Sequence, residues 1–194
     1  TGPAVAQLQA AFSAAWAEAT GDLQAGLVAV STNVDSTATQ MAGLMHAEPA
    51  IGSTAAARFL ALTIAGARRS LYITNSYFVP DADFRRLLRA AARRGVDVRV
   101  LTAGEETDVK VVRLASRNYY GELLAAGVRI YEYRPTMLHA KTIVADGQWS
   151  TIGTMNFDNR SLALNDESNL LVQDTVVAAV LERQFMEDLR HSNE

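Results

Sequence analysis

Cysteine is absent from the 194-residue sequence, and its absence excludes disulfide bonds and thiolate metal sites. Histidine is scarce as well, because it occurs only as His46, His139 and His191. A three-histidine metal site would therefore need every one of them. On this ground we expect no metal ion and no other cofactor.

Long apolar runs and an excess of positive charge are also missing. No apolar run reaches the roughly 18 residues that a membrane-spanning helix needs. The formal net charge of −3 argues against a strongly basic surface, so nucleic acid is not an expected partner, although a local basic groove is not excluded. With 49% hydrophobic residues, a chain of this length predicts one domain with a substantial core.

The most informative stretch is residues 138–147, which is rich in Val, Ile and Thr and closes in Asp-Gly. This composition predicts a β-strand that ends in a tight turn. Alternation along a strand places His139 and Lys141 on one face and Asp146 on the other. The pattern therefore predicts a working imidazole–ammonium pair and a carboxylate with a structural role.

Phosphoryl transfer is the chemistry that uses such a pair. An imidazole with a pKa of about 6.5 is a competent nucleophile near neutral pH, and an ammonium group stabilises charge on phosphate. Lys141 is one of only two lysines, which favours a compact ammonium at this site. Asn156 and Thr154 can add an amide and a hydroxyl. An isolated H-x-K pair also fits an ordinary strand end, and the pattern alone leaves both readings open.

The surrounding residues extend this motif. His139, Lys141 and Asp146 form H-x-K-x4-D, G-T-x-N follows at 153–156, and F-D-N-R-S-L-A-L-N-D-E follows at 157–167. Together these blocks resemble the phospholipase D superfamily, and within it the bacterial cardiolipin synthase branch, especially its cardiolipin synthase B-like proteins. Thr154 stands where the family more often has serine.

The resemblance implies a phosphatidyltransferase that acts on anionic phospholipid through a phosphohistidine intermediate. It implies a catalytic set of His139, Lys141, Asp146 and Glu167, in which Glu167 orients the imidazole. It also implies phosphate binding by Lys141, Thr154 and Asn156. A cytoplasmic location, with peripheral contact to the inner membrane, is expected for such an enzyme.

Family members of this kind use two facing H-x-K motifs, and this chain has one. Residues 1–21 resemble the helix that follows the first motif, so we expect residues 1–194 to form a single phospholipase D-like domain whose N-terminal counterpart is missing. That counterpart, or a second copy in a homodimer, is the expected partner. The isolated half is expected to be nearly inactive, and the role of His139 as nucleophile or acid is left open.

Three further residues are candidates for the cleft. Tyr77 lies in a segment that resembles the family's Tyr-Phe-x-Pro run beside the active site, although a core position fits it equally well. Asp108 and Lys110 follow a predicted strand end, where α/β folds hold their ligands. A surface ion-pair cluster also explains these two residues.

Two other functions stay open at this stage. The first is a dimeric phosphodiesterase or endonuclease of the same superfamily. The second is a non-catalytic domain that binds a membrane or a protein. The intact set of His139, Lys141, Asn156 and Glu167 argues against the second alternative.

The alternation of strands and helices, followed by a hairpin and one more strand, predicts an α/β/α sandwich around a mixed, largely parallel sheet. Within it, we expect a short strand at residues 27–30, one helix over residues 109–126, and a motif strand that starts at Leu138.

Overall fold

The computed structural model of the chain describes residues 3–22, 40–48 and 54–194. The helices in these residues are α1 Pro3–Thr20, α2 Ala55–Gly66, α3 Ala82–Arg93, α4 Lys110–Arg117, α5 Tyr120–Leu124, α6 Asn159–Ala163 and α7 Thr175–Arg190. The strands are β1 Met41–Ala47, β2 Ser70–Asn75, β3 Asp97–Ala103, β4 Arg129–Tyr133, β5 Lys141–Ala145, β6 Trp149–Gly153, β7 Glu167–Gln173 and β8 Ser192–Asn193. The strand expected at residues 27–30 lies outside the described residues.

All of these strands join one sheet in the order β1-β7-β6-β5-β2-β3-β4-β8. The predicted mixed sheet is confirmed, but the expectation of largely parallel pairing is wrong. Only the β2–β3 and β3–β4 pairs are parallel among the described strands. Parallel neighbours need a crossover connection, and helices α3 to α5 supply it there. Strands β5 and β6 are instead joined by a tight turn, which forces them to pair antiparallel.

Helices cover both faces of the sheet. On one face Leu60 and Ile64 of α2 pack with the buried core that includes Ile73 and Val100. On the other face Phe185 of α7 stacks on Tyr72 of β2, with ring centroids 5.1 Å apart. The predicted α/β/α sandwich is therefore confirmed.

Local sequence signals account for several element boundaries. The carboxylate of Asp81 accepts a hydrogen bond from the backbone N–H of Phe84 at 2.9 Å, as expected for a helix N-cap. The single helix predicted over residues 109–126 is wrong, because α4 ends before α5 begins. At the interruption Tyr119 packs under Arg85 of α3 at 4.0 Å, and the next residue, Tyr120, reaches Glu132 of β4. The two adjacent tyrosines thus serve different neighbours.

The β5–β6 hairpin has the turn that Asp-Gly predicts. Asp146 and Gly147 both have positive φ angles, of 57° and 67°. This is the backbone of a type I′ turn, which matches the twist of the strands that it joins. Among the described helices, none has the length and apolar character to cross a bilayer.

Candidate active site

The sequence-predicted phosphate ligands meet in one cavity of about 610 Å³, which we call the motif cavity. It is formed where β5 begins, β6 ends and β7 begins. Its lining residues are His139, Lys141, Gly153, Thr154, Asn156, Leu164, Asn165, Asp166 and Glu167. Polar and charged groups dominate this lining, as binding of a phosphate group requires.

His139 precedes the strand rather than lying in it. Strand β5 begins at Lys141, so the expectation of a strand from Leu138 is wrong. The physical reason is the end of its partner, because Asn75 is the last residue of β2 and pairs with Lys141. The His139 ring is exposed and has no hydrogen-bond partner among the described residues. The ring of Tyr77 approaches it edge-on, with centroids 6.2 Å apart.

Lys141 is buried, in contrast to His139, with 8% of its surface exposed. Its Nζ donates to the hydroxyl of Ser76 at 3.1 Å and to the carbonyl of His139 at 2.8 Å. Burial lowers the pKa of Lys141, while the negative charges of Glu167, Asp108 and Asp158 act in the opposite direction. An ammonium group has three donors, so one is left for a ligand.

Glu167 is also buried, but its contacts differ from the predicted ones. Its carboxylate accepts a hydrogen bond from the hydroxyl of Thr154 and another, at 3.3 Å, from the Asn165 amide. No hydrogen bond joins Glu167 to His139 within the described residues, although both line the motif cavity. The orientation of the imidazole by Glu167 stays a prediction.

The G-T-x-N segment is shaped by close packing. A β-carbon at Gly153 would collide with the side-chain oxygen of Asn169 and the carbonyl oxygen of Ser168, so only glycine fits. The Thr154 hydroxyl accepts from the backbone N–H of Ser168 at 3.0 Å. Asn156 lines the cavity, and its buried Oδ1 has no hydrogen-bond partner in the described parts of the chain.

Asp146 lies at the opposite end of β5 from the cavity. Its carboxylate accepts backbone N–H groups from Arg68 at 2.9 Å, Arg69 at 2.6 Å and Ser70 at 3.0 Å. Burial opposes ionisation, but these donors together hold the pKa of Asp146 below its usual range. Asp146 thus fastens the start of β2, the structural role that strand alternation predicted. Its membership of the catalytic set stays a prediction.

The three candidate cleft residues separate into a pair and a single residue. The Tyr77 hydroxyl donates to both carboxylate oxygens of Asp108, at 2.6 and 2.7 Å. Burial, together with this carboxylate, raises the pKa of Tyr77 to about 12. Because the ring of Tyr77 also contacts the ring of His139, the Tyr77–Asp108 pair lies beside His139. Lys110 is exposed and makes no hydrogen bond or ion pair among the residues described.

The alternative explanation for Asp108 and Lys110, a surface ion-pair cluster, finds no support in the part of the chain that the structure describes, because no ion pair involves either side chain there. Arg113 pairs instead with the buried Glu132 at 2.6 Å. Sequence reasoning also assigned no role to Asn75 and Ser76. Their one signal is that two adjacent polar residues come directly after the apolar strand positions Leu71 and Ile73 and the threonine that follows them.

Comparison with solved structures defines the class of this fold. Nuc from Salmonella typhimurium, a phospholipase D family member, aligns with a TM-score of 0.65 at 21% identity, over 79% of this chain and 97% of that one. Phosphatidylserine synthase from Haemophilus influenzae aligns with the same TM-score at 13% identity, over 79% of this chain and 40% of that one. The chain has the phospholipase D-like fold.

The sequence comparisons identify the family within this class. Residues 60–189 match the family model described as "Cardiolipin synthase, PLD-like domain", and the chain belongs to this family. The cardiolipin synthase of Geobacillus kaustophilus is 48% identical over 130 residues, which are 67% of this chain and 26% of that protein. Cardiolipin synthase 2 of Bacillus anthracis is 44% identical over 131 residues, which are 68% of this chain and 25% of that protein. The matched segment spans about a quarter of these relatives, and the resemblance seen in the motifs is confirmed.

Proposed function

We propose that this chain forms the catalytic C-terminal half of a cardiolipin synthase-type phosphatidyltransferase that acts on anionic phospholipid. The observation that carries the proposal is the motif cavity, in which His139, Lys141, Thr154 and Asn156 meet. They supply one imidazole, and an ammonium and an amide that donate to phosphate oxygens. The Thr154 hydroxyl donates its one proton to Glu167 in this structure and would have to turn to join them. The relatives named cardiolipin synthase support the choice of a lipid substrate.

The proposed reaction passes through a phosphohistidine. The nucleophilic imidazole forms a bond to phosphorus while the bond from phosphorus to the leaving alcohol breaks, and a second imidazole protonates that oxygen. The second imidazole then takes the proton of the incoming alcohol, whose oxygen displaces the first imidazole from phosphorus. Lys141 and Asn156 stabilise the charge that builds on the non-bridging oxygens. His139 takes one of these two roles.

The second imidazole has to come from outside the described residues. His46 on β1 contacts the hydroxyl of Ser168, and His191 follows α7 beside Glu187. Neither lines the motif cavity, and the exposed ring of His139 leaves room for a facing group. We therefore propose that an N-terminal motif-bearing half, or a second copy, completes the site. In this scheme residues 1–194 form one domain, and α1 is the helix that follows the H-x-K motif of the N-terminal half.

An isolated half is accordingly proposed to be nearly inactive. Without a partner it has neither the second proton carrier nor the other half of the phosphate clamp. Positioning alone contributes about 7–11 kcal/mol to reactions of this kind. Because the substrate resides in a bilayer, the proposal includes peripheral contact with the cytoplasmic side of the inner membrane. No observation on the described residues favours the nuclease alternative or the non-catalytic alternative over this proposal.

A chimaera tests the proposed activity. Residues 60–189 would replace the matching segment of the Geobacillus kaustophilus enzyme, and product would be measured from vesicles that contain phosphatidylglycerol. We expect the chimaera to make cardiolipin, and His139→Ala to reduce its rate by at least about 10³-fold. Arg183→Ala, at an exposed position of α7 that does not line the motif cavity, is the control and is expected to keep the rate. A His139→Ala chimaera with undiminished activity would refute the assignment.

The isolated chain tests the half-site. Its mass in solution would be measured by light scattering, together with its hydrolysis of bis-p-nitrophenyl phosphate. An inactive monomer supports a half that needs its N-terminal counterpart. A dimer whose activity vanishes in His139→Ala supports completion by a second copy and strengthens the phosphodiesterase alternative. Full turnover by a strict monomer contradicts the half-site.

A further inference from the structure

The last residue of β2 and the residue after it are both polar and buried, and the side chains of both contact residues of the motif cavity or its loop. Asn75 and Ser76 have 2% and 3% of their surface exposed. Burial of a polar group costs free energy unless the group is hydrogen-bonded. The hydrogen-bond partners of these two side chains therefore indicate their role. The partners of both side chains belong to the phosphate-binding segments.

Asn75 fastens the loop that carries Asn156. Its Nδ2 donates to the carbonyl of Met155 at 3.2 Å, and its Oδ1 accepts from the backbone N–H of Phe157 at 3.0 Å. These two bonds hold the peptide groups on either side of Asn156. A third bond, from Val79 N–H to the Phe157 carbonyl at 2.9 Å, ties the same loop to the segment after β2. The backbone on both sides of Asn156 is thus fixed, and this positions the residue at the motif cavity.

Ser76 fixes the ammonium group of Lys141. Its hydroxyl accepts from Lys141 Nζ at 3.1 Å, and its carbonyl accepts from the hydroxyl of Thr102 at 3.3 Å. The second donor of Lys141 is held by the His139 carbonyl. With two donors fixed, the third has a defined direction before any ligand arrives. Such preorganisation favours binding because no side-chain ordering remains to be done.

We propose that Asn75 and Ser76 are positioning residues of the phosphate site, Ser76 for Lys141 and Asn75 for Asn156. This inference rests on the proposed function, because it assumes that the motif cavity binds phosphate. The antiparallel pairing of Asn75 with Lys141 explains how one dipeptide serves both ligands. It brings the end of β2 beside the start of β5, and the residue after Asn75 reaches the ammonium group.

The scarcity of lysine makes the Ser76 contact measurable. Lys110 and Lys141 are the only lysines, so a sample labelled with ¹³C-lysine gives two sets of NMR signals, with exposed Lys110 as the internal reference. A hydrogen bond to the charged form favours that form. We therefore expect Ser76→Ala to lower the pKa of Lys141 and to leave that of Lys110 unchanged. Ser76→Thr restores the hydroxyl and is expected to restore the titration.

The matched control is Ser150→Ala. Ser150 is a fully buried serine on β6 whose hydroxyl has no partner in the described residues. Binding of inorganic phosphate would be followed in all variants by the Lys141 signals. We expect Ser76→Ala to weaken it about tenfold, as for loss of one hydrogen bond to a charged group, and Ser150→Ala to leave it unchanged. An unchanged titration and an unchanged affinity in Ser76→Ala would overturn the proposal for Ser76.

Asn75 is tested by the side-chain amide signals of Asn156. Saturating phosphate is expected to shift these signals in the wild type and in Ser76→Ala, but not in Asn75→Ala. An equal shift in Asn75→Ala would overturn its role. If Asn75→Ala does not fold, the Ser76 variants decide. Wild-type Lys141 signals that do not respond to phosphate would refute the proposed function instead, while the titration without phosphate still reads the Ser76–Lys141 contact.

Discussion

The hydroxyl group of Thr154 donates a hydrogen bond to the carboxylate of Glu167. The same hydroxyl accepts from the backbone N–H of Ser168, so it links the end of β6 to the start of β7. Glu167 has 3% of its surface exposed and depends on such partners. The hydroxyl of Thr154 therefore supports a buried carboxylate, while the residue also lines the motif cavity.

Removal of that hydroxyl is expected to destabilise the fold. Thr154→Val keeps the shape of the side chain but leaves the Glu167 carboxylate and the Ser168 N–H each short of one partner. We expect the free energy of unfolding to fall by about 1–3 kcal/mol. Thr154→Ser keeps the hydroxyl and is expected to lose much less. Urea denaturation compares the three proteins, and equal losses in the two variants would contradict this role.

Asp146→Asn is expected to reduce stability in a pH-dependent way. Asparagine tolerates the positive φ of this position, so the change removes mainly the charge that accepts the N–H groups of Arg68, Arg69 and Ser70. At pH 7 we expect a loss of about 1–3 kcal/mol. The folded pKa lies below the usual 3.8. The contribution of the carboxylate is therefore present above about pH 4 and is lost as the pH falls through the folded value.

The measurement for Asp146 is the difference in unfolding free energy between wild type and Asp146→Asn, taken at pH 7 and again near pH 3. Other carboxylates titrate equally in both proteins and cancel in the difference. We expect the difference to shrink towards low pH. A difference that is constant across this range would show that charge is not the origin of the effect.

Gly153→Ala is expected to distort the cavity wall. The new methyl group would meet the Asn169 side chain and the Ser168 backbone, and the backbone cannot move away cheaply. We expect a loss of about 1–3 kcal/mol or more in unfolding free energy. Gly43→Ala, on strand β1 with open space around it, is the control. Thermal unfolding gives the midpoint temperature of each protein. An equal fall of this temperature in both variants would contradict the steric explanation.

Lys141→Arg is expected to weaken phosphate binding about tenfold or more, although it keeps the charge. A guanidinium group is planar and larger, so it cannot reproduce the contacts that the ammonium group of Lys141 makes with the Ser76 hydroxyl and the His139 carbonyl. Lys110→Arg makes the same change at an exposed position. Isothermal titration with inorganic phosphate compares the two variants. A comparable affinity for phosphate in both variants would mean that the site requires only a positive charge at position 141.

The sequence predicted the cavity because its ligands are close together in the chain. The segment from His139 to Asn156 contains two strands, the tight turn between them and one loop, so short-range patterns were sufficient. Strand alternation also predicted the structural role of Asp146, against the assignment that the family motif implied. Helix caps such as Asp81 were visible because they act three residues away, on Phe84.

The remaining features depend on contacts that are distant in sequence. Ser76 meets Lys141 across 65 positions, and Asn75 meets Met155 across 80. The start of β5 is set by where β2 ends, and no pattern within β5 contains that information. The same holds for the small number of parallel strand pairs, because it depends on which strands become neighbours in the sheet. Local sequence signals carry propensity and periodicity, whereas pairing partners are decided by the whole fold.

Strand β5 is paired on both sides, with β2 along one edge and β6 along the other. Amide groups in such central strands exchange with solvent slowly, because they open only when much of the domain unfolds. We therefore expect the backbone amides at the Lys141 side of the site to exchange slowly with solvent. The contacts of Lys141 are therefore expected to persist through local openings that expose other parts of the domain.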